Sequence, residues 1–434
     1  MSIDIFRVTQ HTLPACHVRD YPGSTAKAQE DVLTLHVKQY TPLDQGESVP
    51  SDAITLIAAH ACGYPKELYE PLWDEIYQLL KQNGFYIRGI WIADVPNMGM
   101  SAALNEHKIG TDYSWIDSAR DLLLLTNHFR EQMPRPLVGI GHSFGGNIIT
   151  NLALMHPRLL TTVILLDPVI QITLPTRALS AGPPGAINYA LWRPDIWPNR
   201  KAAASAHVKL WRQWDPRCID LMVRFGFRDL PTALYPELPD GADHSHPPVT
   251  LPTTKYQEVL GLTRANFSGR APDGRIQIDR STHADMDPLG ASQPVYRPEG
   301  RSTFSRLPSL RPSALWVLGA KTFLYLDEIR EGIRICGEGT GGSGGVSQGK
   351  VKEVTLRGRS HLFPFEDVIQ TAKHCGDWIA GEMGKYRESE HEWNQKRASM
   401  SNRDHLVLGE AWFKAVKMPK AYLSSQRQPR MGKL

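Results

Sequence analysis

The segment Leu137-Val-Gly-Ile-Gly141-His142-Ser143-Phe144-Gly145-Gly146 centres a serine in a G-x-S-x-G pattern, after a strand-like apolar run and before a helical one. A serine on a sharp strand-to-helix turn needs neighbours without side chains two positions before and two after, because the strained backbone brings them against adjacent elements. Gly141 and Gly145 meet that need. The turn lifts Ser143 Oγ to the carboxyl edge of a sheet, and the following helix N-terminus offers the Phe144 N–H and its positive dipole to an oxyanion. The chemistry expected of such a serine is nucleophilic catalysis through a covalent intermediate. A second match, Gly341-Gly-Ser343-Gly-Gly345, sits in a glycine run without an entering strand or following helix and reads as a flexible surface loop. The same loop nearly forms a phosphate-binding pattern from Gly344 to Lys350, but Val351 stands where Ser or Thr would hold magnesium, and a strand follows rather than a helix.

A nucleophilic serine needs a base and an orienting acid, which in a strand–turn–helix setting follow in the order Ser, Asp or Glu, His. His361, in Arg357-Gly-Arg-Ser-His361, lies just past the last expected strand, where a loop can reach back over Ser143. His374 is mid-helix, His391 and His405 lie in the tail, and His142 is expected to pack under the sheet because consecutive elbow side chains diverge. The strand after the cap, Ala314 to Leu318, ends without a carboxylate, and Asp327 comes only on the next helix. Asp167 ends the strand Val163 to Leu166 on the same carboxyl edge, so it is the chosen acid and Asp327 the alternative. The loop His60-Ala61-Cys62-Gly63 is expected to supply the second oxyanion donor, the Cys62 N–H. Cys62 as a nucleophile competes poorly, since no His-plus-Asn arrangement surrounds it. Asp94 to Ser101 is expected to shape the pocket floor.

These residues must be positioned by an α/β architecture. Strand-like runs at Val32–Gln39, Ile54–Ala59, Tyr86–Ile92, Leu137–Ile140 and Thr162–Leu166 alternate with helical patterns near Lys66–Gln82, Trp115–Glu131 and Gly145–His156. That rhythm predicts a mostly parallel sheet with helices on both faces. Residues 171–312 break it with prolines, tryptophans and short helical pieces, and read as an inserted, mainly helical cap. The core (1–170) resumes at 313–384 with strands Ala314–Leu318 and Val351–Leu356 and helices near Tyr325–Cys336 and Glu366–Met383. An extension, 385–434, follows, with an amphipathic piece at His405–Val416 that is a candidate for pairing two copies as a homodimer.

The chain has 434 residues, 41% hydrophobic and 22% charged, with 49 Lys and Arg against 45 Asp and Glu. A near-neutral balance of +4 excludes a sequence-wide nucleic-acid footprint. No apolar run reaches the roughly 18 residues of a membrane span. An acidic N-terminus without a long apolar run argues against secretion. Five cysteines without CxxC spacing fit a reduced compartment, and the Asn266-Phe-Ser sequon is then a chance match. Nine Arg or Lys between Arg177 and Arg228 suit either a phosphate-bearing substrate or solvated helix faces. Asp243-His244-Ser-His246 resembles half a metal site but lies in a Pro-rich loop; no metal or organic cofactor is expected.

Taken together, His17-Val-Arg-Asp-Tyr21-Pro22, His60-Ala-Cys-Gly63 with Lys66-Glu67, the Ser143 elbow, Leu166-Asp167-Pro168 and Gly358-Arg-Ser-His361 resemble the α/β-hydrolases of fungal secondary metabolism. That group includes toxin-biosynthesis hydrolases and peroxisomal acyl-CoA hydrolases of mycophenolic acid biosynthesis. The resemblance spans most of the chain and implies the α/β-hydrolase fold, a triad acid after the strand that follows the elbow helix (Asp167), and hydrolysis of an acyl-CoA thioester to free acid and CoA. The same triad would equally serve a carboxylic-ester or carbon–carbon bond hydrolase or an acyltransferase, and a non-catalytic binding module is the reading from another class. The terminal Gly432-Lys433-Leu434 resembles the peroxisomal address Ser-Lys-Leu, with an import receptor as the implied partner and the peroxisome matrix as the implied location.

Overall fold

Ile54–Ala59, Leu137–His142 and Thr162–Leu166 are buried at every residue, as strands covered on both faces must be. The computed structural model describes residues 2–417 apart from 47–48, 174–184, 244, 268–271, 276 and 288–294. In chain order its first strands are β1 (Phe6–Pro14), β2 (Thr34–Pro42), β3 (Ile54–Ala59), β4 (Ile87–Ala93), β5 (Leu137–His142) and β6 (Thr162–Leu166). Helices α1 (Glu70–Gln82), α2 (Gly99–Asn105), α3 (Trp115–His128) and α4 (Phe144–Met155) connect them. The cap holds α5 (Ala186–Trp192), α6 (Arg200–Trp211), α7 (Pro216–Phe225), α8 (Lys255–Leu262) and α9 (Pro298–Arg306). It also holds two small sheets the sequence reading did not foresee, β7 (Ile196–Trp197) with β9 (Val249–Thr250) and β8 (Arg228–Asp229), and β10 (Arg264–Ala265) with β11 (Val295–Tyr296). Strands β12 (Ser313–Lys321) and β13 (Val351–Ser360) and helices α10 (Leu326–Ile335), α11 (Phe363–Glu366), α12 (Val368–Ala398) and α13 (Glu410–Ala415) follow.

The large sheet has eight strands in the order β1-β2-β4-β3-β5-β6-β12-β13. β2 runs antiparallel to both β1 and β4, and the other neighbours are parallel. The carboxyl ends of β3, β5, β6, β12 and β13 therefore share one edge. Residues Met1–Met383 form one compact unit containing both core segments and the cap, and Gly384–Leu434 form a second. Among the described residues no helix is long and apolar enough to cross a membrane.

Three differences from the sequence expectation have physical causes. β1 carried no clear signal, because only Phe6 and Leu13 of this edge strand are buried and polar residues fill the rest. The expected helix from Lys66 divides into a 3₁₀ turn, Lys66–Tyr69, and α1, with Pro71 accommodated in the first turn of α1. α12 continues fifteen residues past Met383 to Ala398; Glu, Lys, Arg and Gln there favour helix but are polar on every face, so the amphipathic period fades.

The loops after β3 and β4 are tied by buried charge. Lys66 is fully buried, with Nζ 2.5 Å from Asp94 Oδ2 and 3.3 Å from Glu67 Oε1. Lys38 Nζ bridges Glu67 at 3.1 Å and Glu70 at 3.3 Å. Burial alone would push the Lys66 ammonium down, but Asp94 and Glu67 hold it above its ordinary value. Glu67, opposed by burial but held by Lys66 and Lys38, lies low, at about 2. Its stabilising contribution is therefore present above the unfolded value of 4.5 and is lost as pH falls from there through about 2. Replacing Lys66 with Met leaves the buried Asp94 carboxylate without its lysine and Glu67 with Lys38 alone, and urea unfolding at pH 7 should show a loss of about 3–5 kcal/mol. A change under about 0.5 kcal/mol, the range of ordinary surface substitutions, would refute this account.

Candidate active site

The elbow is set by backbone before side chains. Ser143 adopts φ 59 and ψ −123, between the last residue of β5 and the first of α4. A Cβ on Gly141 would stand 2.3 Å from the Gly145 carbonyl oxygen, and one on Gly145 would stand 2.3 Å from that of Ala59. Both positions therefore exclude a side chain. Asp167, which follows β6, has φ 45, and these two are the only non-glycine residues with positive φ among the described residues. Such conformations persist only where surrounding structure enforces them.

The two strained residues meet through His361, which follows β13. His361 Nε2 is 2.9 Å from Ser143 Oγ and His361 Nδ1 is 2.5 Å from Asp167 Oδ2. Ser143 and His361 are almost buried, and Asp167 is wholly so. An imidazole so placed can take a proton from the serine hydroxyl while the carboxylate fixes its tautomer and orientation. Two further groups address Asp167. The Gly319 N–H donates to Oδ1 at 3.2 Å, and Thr322 Oγ1 donates to Oδ2. Thr322 stands in the turn after β12 where the sequence offers no carboxylate. Its role was not read from the sequence, although a hydroxyl at that turn was the available signal. Asp327 is exposed in the first turn of α10.

Three donors lie in the loop after β3. The Ala61 N–H donates to Tyr69 Oη at 2.9 Å and the Gly63 N–H to Met98 Sδ at 3.4 Å. The N–H groups of Cys62 and Phe144 make no hydrogen bond among the described residues. The Cys62 thiol points to the Glu258 carbonyl, 3.6 Å away, and burial raises its pKa well above the ordinary value, which removes thiolate chemistry at neutral pH.

A pocket opens at Ser143, lined chiefly by Trp115, Phe144, Val169, Ile172, Ile187, Leu262 and Phe323, with Arg297 as the one charged side chain lining it among the described residues. Two expectations are corrected here. Asp94 to Ser101 do not line this pocket; Asp94 is held by Lys66 and the Met100 N–H, which turns the segment towards the loop after β3. His142 does not lie under the sheet: its ring centroid is 5.2 Å from that of His361, at the carboxyl edge. The cap tryptophans are also outside the pocket, since Trp192 is 80% exposed and Trp197 and Trp211 pack on Phe227.

Much of the cap's basic excess is paired. Arg193 meets Glu258, Arg200 meets Asp229, Arg217 meets Glu75 and Asp215, and Arg228 meets Glu106. The glycine-rich loop around Ser343 is held rather than loose, with the Ser343 N–H on the Leu310 carbonyl at 2.9 Å and the Gly339 N–H on that of Pro308 at 2.8 Å. Asp243 bonds Ser245 and His246, while His244 lies outside the described residues, as do Arg177 and Gly432 to Leu434. No group of three or more His, Cys, Asp or Glu placed to hold a metal occurs among the described residues.

A parallel sheet with a strained serine between strand and helix, a histidine after the last strand and a carboxylate between them defines the α/β-hydrolase class. The α/β-hydrolase family model matches residues 58–368, and the chain belongs to that family. More particularly, the chain is 56% identical over 425 residues, 96% of each chain, to the type I acyl-CoA thioesterase mpaH of Penicillium roqueforti. It is 55% identical over 96% of each chain to the type I acyl-CoA thioesterase mpaH' of Penicillium brevicompactum. In fold it is similar to the peroxisomal α/β-hydrolase Lpx1 of Saccharomyces cerevisiae, with a TM-score of 0.62, 18% identity, and coverage of 92% of this chain and 100% of that one.

Asp167→Asn should keep the fold, because Asn tolerates a left-handed backbone, yet lower turnover by about 10⁴ through loss of the tautomer control. Asp327→Asn should match wild type in the same assay; the reverse pattern would move the acid to α10.

Proposed function

We propose that the protein is an acyl-CoA thioesterase working through a serine nucleophile. The observation that carries this is the joining of Ser143, His361 and Asp167 by two hydrogen bonds in a chain that is 56% identical along 96% of its length to a thioesterase. Ser143 Oγ attacks the thioester carbonyl carbon as His361 Nε2 takes the hydroxyl proton. The oxyanion is held by the N–H groups of Phe144 and Cys62. Collapse of the tetrahedral adduct breaks the C–S bond, and His361 returns the proton to the departing CoA sulfur. Water then attacks the Ser143 ester with His361 as base, releasing the free acid and restoring the serine. Asp167 keeps His361 Nδ1 protonated and oriented throughout. No step calls on a metal or organic cofactor. The apolar pocket supports a hydrocarbon-rich acyl group.

Thiol release from a panel of acyl-CoA substrates that includes mycophenolyl-CoA, followed for wild type and Ser143→Ala, tests the reading. Wild type should release CoA thiol, and Ser143→Ala should lose turnover by about 10⁶ while remaining folded. Cleavage of simple esters with no thiol release would keep the triad and discard the substrate class, and full activity in Ser143→Ala would discard both.

The location we propose is the peroxisome, reached through Gly432-Lys433-Leu434. A fluorescent fusion should be peroxisomal with the tripeptide and diffuse without it; an unchanged distribution would refute the address.

A further inference from the structure

Between the loop after β3 and the loop after β13 runs a file of three hydrogen bonds through two buried side chains. The Ala61 N–H donates to Tyr69 Oη at 2.9 Å, Tyr69 Oη is 2.7 Å from His142 Nδ1, and His142 Nε2 is 2.9 Å from the His361 carbonyl oxygen. Both side chains are almost wholly out of solvent, at 2% for Tyr69 and 0% for His142. Proton positions follow from the two ends. A carbonyl oxygen only accepts, so His142 Nε2 carries a proton. Burial holds the ring neutral, with the adjacent His361 acting in the same direction, so Nδ1 is bare and accepts the Tyr69 O–H. The phenol oxygen is then free to accept the Ala61 N–H. Every donor in the file meets one acceptor.

At one end of this file is the backbone of the base itself, and at the other is the residue before Cys62. Tyr69 takes up the Ala61 N–H, and the next amide, that of Cys62, makes no hydrogen bond among the described residues. A ring that merely filled space here would need no polar atoms, and its neighbours Phe363 and Phe365 have none.

We propose that Tyr69 and His142 are positioning residues that set the His361 base and the Cys62 oxyanion donor in one rigid frame around Ser143. The proposal rests on the serine-hydrolase reading above and adds two residues to it. Neither side chain touches substrate in this role. His142 steadies the base through its carbonyl, and Tyr69 steadies the opposite loop through an amide.

The test compares Tyr69→Phe, His142→Gln and His142→Asn by kcat, KM and the rate and final extent of Ser143 labelling with a fluorophosphonate. Gln places its amide near the position of Nε2 and keeps a donor for the His361 carbonyl, whereas Asn reaches only towards Tyr69. Misplacement of reacting groups by about 1 Å costs about 100-fold. Tyr69→Phe and His142→Asn should accordingly lose about 10- to 100-fold in kcat and in labelling rate, with KM near wild type and labelling still going to completion. His142→Gln should recover most of the loss. Wild-type labelling rates in all three variants would overturn the proposal. So would a loss accounted for wholly by a smaller labelled fraction, since that reports unfolded protein and a role in packing alone. A wild-type protein that never labels at Ser143 would instead overturn the serine-hydrolase reading on which the proposal stands.

Discussion

Two residues held with left-handed backbones at the ends of neighbouring strands are the constraint on which the site depends. Each such conformation costs on the order of 1–3 kcal/mol, so the sheet must hold it. It does so by direct bonds between the two corners: the Ser143 N–H to the Leu166 carbonyl at 2.9 Å and the Val169 N–H to the Ser143 carbonyl at 3.0 Å. The Asp167 N–H reaches across to the Val317 carbonyl of β12 at 2.8 Å. The register of three parallel strands thus fixes where Ser143 Oγ and the Asp167 carboxylate emerge, and His361 has only to bridge them.

Around that bridge the buried charges are paired with one another. Lys66 and Lys38 pair with Asp94, Glu67 and Glu70 behind the loop after β3. On the cap side, Glu299 accepts the Trp115 N–H at 2.8 Å and pairs with Arg297 at 3.2 Å, joining the start of α3 to α9. The turn that delivers His361 is closed by the Ser360 N–H on Glu366 at 2.9 Å and by Arg359 on Asp367. What remains at Ser143 is a mainly apolar cavity, in which hydrogen bonds to a developing oxyanion are stronger than in water.

The Ser143 turn, the placing of His361 and Asp167 beside it, and the parallel core were legible in the sequence because each leaves a local mark: glycines that exclude a side chain, unbroken apolar runs, and a carboxylate or histidine just past a strand. Thr322 and Tyr69 left no comparable mark. A threonine and a tyrosine are common everywhere, and their partners, Asp167 and His142, are distant in sequence. His142 was misplaced because divergence of successive side chains says which face a residue takes but not what returns to that face. Residues 171–312 stand out in the sequence by a broken rhythm and not by their contents, since two-residue strands have no period to read. β1 was missed because an edge strand with one wet face needs few apolar residues.

Ser143 and Asp167 come from one continuous stretch, Leu137 to Asp167, and only His361, which joins them, lies beyond residues 171–312. A ribosome building this chain from its N-terminus completes the serine and the aspartate nearly two hundred residues before the histidine that joins them. The growing chain therefore carries Ser143 without its histidine partner for 218 residues of synthesis, until residues 171–312 and the last strand of the sheet have been made.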